Sequence, residues 1–116
     1  AVAEVILGLS HQPPFGPTLL FGLGGVFVEV FGDVTFRVPP FTPASARAMI
    51  DEIRGARLLQ GGDLAALVNT IMRLQRLALE VGDEIMELDI NPLMVLPNGR
   101  GVVAVDALVV GRYGPL

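Results

Sequence analysis

The 116-residue chain contains no cysteine and no lysine, and His11 is its single histidine. Without cysteine there can be no disulfide, no thiolate nucleophile and no thiolate zinc site. Without lysine there can be neither a lysine phosphate anchor nor a Schiff base. One histidine leaves no Ser-His or Cys-His system that can be argued from spacing. His11 itself lies in the proline-rich segment HQPPFGP, with no carboxylate nearby in the sequence, so we predict a solvated turn residue.

Charged residues are also scarce. They make up 17% of the chain against 52% hydrophobic residues, and the formal net charge is −4. The acidic balance and the lack of a basic run argue against nucleic acid as a partner. The apolar excess is unusual for a free-standing soluble domain. It predicts buried strands, or a face that packs against another part of a larger protein.

Signals for secretion and membrane insertion are missing as well. Glu4 interrupts the first apolar run and no basic segment precedes it, so no signal peptide is visible. The uncharged stretch 5–28 is interrupted by three prolines and five glycines, which argues against a membrane span. We therefore expect a soluble, cytoplasmic protein without a membrane segment.

The hydrophobic pattern predicts strands followed by two helices and two further strands. Thr42 is expected to be the N-cap of the first helix, which ends near Gly55, and Asp63 that of the second. The strand-like segments are 2–10, 18–22, 26–31, 33–40, 85–96 and 102–110. This order indicates an α+β fold with two helices packed on a mostly antiparallel sheet. We expect residues 1–116 to form a single domain.

Side-chain periodicity predicts which positions are buried. The helix positions expected in the core are Ala46, Met49, Ile50, Ile53, Leu64, Leu67, Val68, Ile71, Leu74 and Ala78. Gln75 falls on the wet side of the second helix. In the segment 34–38, apolar residues alternate with Thr35 and Arg37, which is typical of a half-buried strand. Arg37 is also a candidate partner for a phosphate or an acid.

The segment 87–93 reads ELDINPL and places polar residues at every second position of an otherwise apolar stretch. Glu87, Asp89 and Asn91 would therefore share one face of a strand. The residues expected to fill the opposite face are Met86, Leu88 and Ile90. The spacing thus predicts a strand with one acidic face and one apolar face.

Asn98-Gly99 lies between two apolar runs and is the strongest short-range signal for a β-hairpin. A two-residue and a four-residue turn give the same register, which pairs Leu96 with Gly101. That register sets Asn91 directly opposite Asp106, and directly opposed residues project to the same face. The hairpin would gather two or three carboxylates and an amide oxygen on one side of the sheet.

Acids on an apolar sheet need a cation, an arginine or water, because leaving them unpaired costs several kcal/mol. Oxygen ligands without histidine or cysteine select a hard divalent ion such as Mg²⁺ or Mn²⁺. Magnesium usually binds one or two carboxylates together with substrate phosphates. The pattern therefore predicts a magnesium–phosphate site. The alternative is an edge hairpin whose solvated face happens to carry acids.

With the hairpin placed in this way, the chain resembles the ATP-grasp region of ADP-forming acyl-CoA (acetyl-CoA) synthetases, relatives of the succinyl-CoA synthetase β subunit. The blocks that carry the resemblance are FGPTLLFGLGGVFVEVFGDVTFRVPP at 15–40, FTPASARAMI at 41–50, ELDINPLMVLPNG at 87–99 and VVAVDALV at 102–109. The resemblance implies the C-terminal half of an ATP-grasp domain, as a fragment of a larger protein that is inactive alone. It implies the reaction acid + ATP + CoA to acyl-CoA + ADP + phosphate, through a phosphohistidine.

The same resemblance assigns residues and partners. In the family's motif the Asn of this strand and the Asp of the next strand are metal ligands, which implies that Asn91 and Asp106 hold Mg²⁺ or Mn²⁺. Asp89 occupies the acidic position of the motif, as a ligand or as a neighbour of one that also serves ATP or ADP. Glu29 matches an acid of the family block and is a candidate for a role on the nucleotide side or for a structural role. The implied partners are nucleotide, acyl-CoA or CoA, the other ATP-grasp half and CoA-ligase domains, and a homo-oligomer is allowed.

The chain departs from the family pattern at two places. The family usually has an Asp shortly before FGP, where this chain has His11, and its loop is longer than LLQGGD at 58–63. These departures leave a second hypothesis open. In it, the chain is a non-catalytic regulatory or ligand-binding module of a synthetase-like protein fused to an acetyltransferase.

Overall fold

The computed structural model describes residues 1–24, 32–112 and 114–115. Within these ranges the strands are β1 (Ala3–Gln12), β2 (Gly16–Leu23), β3 (Val34–Arg37), β4 (Ile85–Val95), β5 (Val102–Ala104), β6 (Ala107–Gly111) and β7 (Gly114–Pro115). The helices are α1 (Pro43–Asp51) and α2 (Leu64–Val81). Short 3₁₀ turns at Ala56–Leu59 and Gly82–Glu84 lie after α1 and before β4. The predicted strand 26–31 lies outside the described residues.

The described strands form one sheet in the order β3-β2-β1-β4-β6-β7. β5 and β6 lie end to end along β4, since β5 pairs with its 93–95 stretch and β6 with its 85–90 stretch. All pairs of neighbouring strands in the described ranges are antiparallel. The prediction of an α+β fold with a mostly antiparallel sheet and two packed helices is confirmed.

Both helices cover the same face of the sheet, and the hydrophobic core lies between the helices and that face. Its fully buried strand residues include Val5, Leu7, Leu9, Leu19, Phe21, Leu93 and Val95. The predicted helix stripes are confirmed, because all their members are either buried or packed against this core. None of the helices in the described ranges is long and apolar enough to cross a lipid bilayer.

The helix N-caps follow the sequence prediction. The Thr42 side chain accepts a hydrogen bond from the Ser45 amide at 3.1 Å, and an Asp63 carboxylate oxygen accepts one from the Ala66 amide at 3.1 Å. Each bond satisfies one of the amides that a helix start leaves without an internal partner. Helix α1 ends at Asp51, four residues before the predicted glycine.

A buried carboxylate holds the chain beyond α1. The Asp33 side chain, only 6% exposed, accepts hydrogen bonds from the Arg54 amide at 2.6 Å and the Gly55 amide at 2.8 Å. These contacts tie the residue just before β3 to the segment that leaves α1. A Cβ at residue 55 would press against the end of the Leu23 side chain, which would have to move.

In strand β3 it is the polar side chains, and not the apolar ones, that face the helices. Its polar residues face α1: the Thr35 hydroxyl donates to the Met49 carbonyl at 2.8 Å, and Arg37 forms an ion pair with Glu52 at 2.6 Å. Its apolar residues lie on the uncovered face of the sheet, where Phe36 is 49% exposed. Alternation identifies two faces of a strand, but it does not say which face the helices cover.

Two polar side chains are more buried than predicted. Gln75 is not on a wet face: it is 6% exposed, and its amide group exchanges hydrogen bonds with the Phe41 backbone. His11 is not a solvated turn residue, because it extends β1 and its Nε2 lies 2.8 Å from the carbonyl oxygens of Gly82 and Ile85. In both cases the polar atoms are satisfied by backbone groups of another element, which periodicity along one segment cannot reveal.

We predict that Asp33→Ala lowers the free energy of unfolding by about 1–3 kcal/mol, because it leaves two backbone amides without their acceptor. The matched control is Asp51→Ala, which removes an exposed carboxylate paired with Arg47 at 3.2 Å and should cost less than about 0.5 kcal/mol. Urea unfolding curves measure both values. Equal losses in the two variants would contradict the anchoring role of Asp33.

Candidate functional site

The sheet face opposite the helices, called here the open face, carries an acid within an apolar row. Strand register places Asp89 of β4 directly opposite Gly8 of β1, and Gly8 opposite Leu20 of β2. The row continues to Phe36 of β3 on one side and to Leu108 of β6 on the other. Opposed residues on paired strands project to the same face. Asp89 therefore lies on a largely apolar surface, which predicts that its charge is poorly solvated.

β4 divides its side chains much as the sequence predicts. Leu88 is buried and Ile90 is half-buried on the helix-covered face, whereas Glu87, Asp89 and Asn91 alternate with them. Asp89 is half-buried, and Glu87 and Asn91 are exposed.

The prediction for Met86 is wrong, because this side chain is 47% exposed and Ile85 takes the core position at 4%. The register with β6 shifts between Ile85 and Glu87, so Met86 is the extra residue of a β-bulge.

A second irregularity lies inside the motif. Between the pairs Leu7–Ile90 and Val5–Leu93, β4 advances three residues while β1 advances two. The extra residue falls at Asn91-Pro92, where Pro92 has no amide to donate. Beyond it the buried side chains change parity, and the core residues are now at positions 93 and 95. Between the two bulges of β4 the core-facing residues are at even positions and the acids at odd ones, and after the second bulge the odd positions face the core.

The predicted hairpin register is confirmed on both sides of this bulge. The Leu96 amide donates to the Gly101 carbonyl at 3.1 Å, and the ladder continues through β5 and, beyond the bulge, through β6. The Asn91 amide donates to the Asp106 carbonyl at 3.0 Å, so the two residues are opposed as expected. Within this register the Arg100 amide donates to the Pro97 carbonyl at 2.9 Å across the turn.

The second arm of the hairpin differs from prediction in one respect. The expected continuous strand 102–110 is divided into β5 and β6, with Val105 and Asp106 between them. Since Pro92 cannot donate, the ladder at this point is reduced to two bonds: Asn91 to Asp106, and the Val105 amide to the Pro92 carbonyl at 3.0 Å. Asp106 is exposed, and few backbone hydrogen bonds hold this part of the arm.

The acids of the open face influence one another. Burial raises the pKa of Asp89, and the negative charges of Glu87 and Asp106 raise it further. The ion pairs found among the described residues join Arg37 to Glu52 and Arg47 to Asp51, so none of them neutralises this group. The arrangement favours a cation next to Asp89.

The oxygen atoms of Asp89, Asn91 and Asp106 suit a hard divalent cation, but they do not form a complete site. In the part of the chain that the structure describes, no three His, Cys, Asp or Glu side chains are grouped closely enough to hold a metal ion. Such a partial set agrees with the way Mg²⁺ commonly binds, with substrate phosphates and water completing its coordination. Glu29, the other predicted residue, lies outside the described residues.

Two features of the neighbourhood were not predicted from the sequence. One is the apolar row beside Asp89, because the alternation in β3 does not say which of its two faces the helices cover. The other is the contact between Asp63 and the hairpin: its second carboxylate oxygen accepts from the Gly101 amide at 2.8 Å. An N-cap signal identifies the helix start, but not a second partner 38 residues along the chain.

Comparison with known proteins finds relatives along nearly the whole chain. The β subunit of ADP-forming acetate–CoA ligase II from Pyrococcus furiosus is 42% identical over 113 residues, which cover 92% of this chain and 48% of that subunit. The structure of PH1788 from Pyrococcus horikoshii Ot3 has 40% identity and a TM-score of 0.91, covering 95% of this chain and 48% of that one. The chain thus spans about half the length of these two proteins.

A further solved structure contains ligands. It is the dinucleotide forming acetyl-coenzyme A synthetase 1 of Ca. Korarchaeum cryptofilum in complex with coenzyme A and Mg-AMPPCP. It has 42% identity and a TM-score of 0.87, and the alignment covers 95% of this chain and 53% of that chain. A family model for the ATP-grasp domain matches residues 1–110. Because this match covers almost the entire chain, and the fold agrees with it, the chain belongs to the ATP-grasp domain family.

Proposed function

We propose that this chain supplies metal ligands to the nucleotide site of an ADP-forming acyl-CoA synthetase. The observation that carries the proposal is the pairing of Asn91 with Asp106 beside the half-buried Asp89. The relatives support it, since the similar Pyrococcus furiosus subunit belongs to an ADP-forming acetate–CoA ligase. The Ca. Korarchaeum cryptofilum enzyme binds Mg-AMPPCP and coenzyme A.

In this proposal Asn91 and Asp106 hold Mg²⁺ or Mn²⁺ together with the phosphates of ATP or ADP, and Glu29 contributes on the nucleotide side. The ion neutralises phosphate charge during phosphoryl transfer, in which positioning and electrostatics supply most of the rate. Asp89 keeps the site negative, and its half-buried carboxylate gains more from a nearby cation than a solvated one would. The apolar row next to it excludes water from one side of the site.

We further propose that residues 1–116 are the C-terminal half of an ATP-grasp domain and do not turn over alone. The complete protein would be cytoplasmic and convert acid, ATP and CoA to acyl-CoA, ADP and phosphate. The other ATP-grasp half and CoA-ligase domains would supply the remaining groups, including the phosphohistidine, in a chain that can form homo-oligomers. His11 does not suit that role, because its Nε2 donates toward backbone carbonyls.

The apolar side chains of the open face support the proposal that this chain is one half of a larger domain. Phe36 and Leu108 are 49% and 55% exposed, although each lies on a strand whose opposite side is covered, and Val38, directly after β3, is 42% exposed. An apolar surface of this kind marks a contact region. In the proposal, nucleotide and the other ATP-grasp half cover it in the complete protein.

We predict that the double substitution Asn91→Ala/Asp106→Ala weakens binding of Mn²⁺ and of Mg-ADP to the complete protein by at least about tenfold, because it removes two of the proposed oxygen ligands. Calorimetric titration measures both affinities. The matched control is Asp51→Ala, an exposed acid on α1, which should leave them unchanged. Unaltered affinity in the double variant would overturn the metal assignment.

A measurement of turnover distinguishes the catalytic hypothesis from the hypothesis of a non-catalytic regulatory module. The complete protein should form ATP from ADP, phosphate and an acyl-CoA, and the double variant should lose this activity. Ligand binding without turnover in the unmodified protein would favour the non-catalytic module fused to an acetyltransferase.

We predict that Asp89→Asn raises the free energy of unfolding by about 0.5 kcal/mol at pH 7 without divalent cations, because it removes one of three neighbouring negative charges. The pKa of Asp89 is raised above its ordinary value of 3.8, so its protonated form favours the folded state below that value. This contribution is lost as the pH rises through the folded-state pKa.

The advantage of Asp89→Asn over the unmodified protein should therefore shrink in acid. Urea unfolding in the presence of a chelator, at pH 7 and near pH 4, measures both differences. Asp83→Asn, which changes an exposed acid before β4, is the control for the loss of a carboxylate outside the group of three acids. A loss of stability in Asp89→Asn at pH 7 would contradict the proposed charge repulsion.

A further inference from the structure

Asp63 uses both of its carboxylate oxygens, and only one of them serves the helix. Oδ1 accepts from the Ala66 amide at 3.1 Å, which caps α2. Oδ2 accepts from the Gly101 amide at 2.8 Å, at the start of the second arm of the hairpin. The residue is 8% exposed, and these two hydrogen bonds lower the pKa of its carboxyl group. An N-cap needs a single acceptor, so the second bond requires a separate explanation.

The backbone around Asp63 reaches the first arm of the hairpin as well. Its amide donates to the Leu96 carbonyl at 2.9 Å, and the Asn98 amide donates to the Gly61 carbonyl at 2.9 Å. Leu96 and Gly101 are the last pair before the turn, joined by their own hydrogen bond at 3.1 Å. Asp63 therefore bonds to both members of the pair from which the hairpin register is counted.

The close approach of this segment is built into the sequence. Gly62 is buried, and a Cβ there would lie 2.7 Å from Val95 Cγ1 and 3.0 Å from the Leu59 carbonyl oxygen. Only glycine allows the chain before α2 to lie this near the end of β4.

The second arm needs such a fixed point because little else holds it. Among the described strands β5 pairs only with β4, Val103 and Val105 are 49% and 61% exposed, and residues 105–106 belong to no strand. Val102 is the one residue of β5 that packs against the core. A strand with so little buried surface specifies its own register weakly, and a slip of one residue turns its side chains to the opposite face. For Asp106, such a slip would direct the carboxylate away from Asn91.

We infer that Asp63 is a positioning residue for the metal pair: by joining the helix start to the Leu96–Gly101 pair, it fixes the register that sets Asp106 opposite Asn91. The inference rests on the proposed function of Asn91 and Asp106. Asp63 itself touches no substrate in this role and acts only through the hairpin.

The test separates the cap from the hairpin contact. In the complete protein, Asp63→Asn keeps an acceptor for the Ala66 amide but places an NH₂ group against the Gly101 amide, and asparagine is as good an N-cap as aspartate. The control is Thr42→Ala, which removes the corresponding N-cap bond of α1, also 3.1 Å long, and leaves the hairpin untouched. The two variants are compared at temperatures where each is equally folded.

Two measurements are made on each variant. Mn²⁺ titration should show an affinity about tenfold weaker for Asp63→Asn, as is typical when a partner that orients metal ligands is lost, and unchanged for Thr42→Ala. Hydrogen exchange should be faster at the Asn91 amide, which bonds to Asp106, in Asp63→Asn only. A general loss of stability would move both variants alike.

The outcomes distinguish the inference from the function on which it rests. If Asn91→Ala/Asp106→Ala weakens Mn²⁺ binding while Asp63→Asn matches Thr42→Ala, the positioning role is overturned and the metal site stands. If the double variant binds Mn²⁺ normally, the metal assignment fails and the role of Asp63 fails with it. Weaker binding and faster Asn91 exchange in Asp63→Asn alone support the inference.

Discussion

The backbone register between β4 and the arm that follows the Pro97–Arg100 turn is the constraint on which the candidate site depends. It sets Asn91 opposite Asp106 and keeps Asp89 on the same open face. The pairing continues across a bulge where Pro92 interrupts the ladder, so the Leu96–Gly101 pair beside the turn must define it from one end. Helix α2 contributes through its N-cap residue, which joins the helix to the hairpin.

The open face combines features that favour function over stability. Asp89 lies in a row of apolar side chains and near two other acids, and burial together with their negative charges raises its pKa. A folded domain gains nothing from this arrangement unless a cation and its ligand arrive. On the helix-covered side, by contrast, the buried polar side chains of Asp33, Asp63 and Gln75 are hydrogen-bonded to backbone groups. Natural proteins commonly depart from stable design at the places where they bind ligands.

Features encoded within a few residues were predictable from the sequence. The Asn98-Gly99 turn gave the register, and the residue types at 42 and 63 gave both helix starts. Features that depend on a distant element were not. The side of β3 that faces α1, the burial of Gln75 against Phe41, and the bulge at Met86 depend on what lies across the sheet or above it. The resemblance in the sequence identified the family, whereas the ligand roles of Asn91, Asp106, Asp89 and Glu29 stay a proposal.

The paired register also restricts how the length of this chain can vary in evolution. An insertion or deletion of one residue within β4 beyond the motif, or within β5, would exchange the two faces of the arm and carry Asp106 to the wrong side. Residues added inside the Pro97–Arg100 turn would leave the pairs on either side in place. Among natural variants, length differences in this hairpin should therefore be confined to the turn, even though the side chains of Val103, Ala104 and Val105 are exposed.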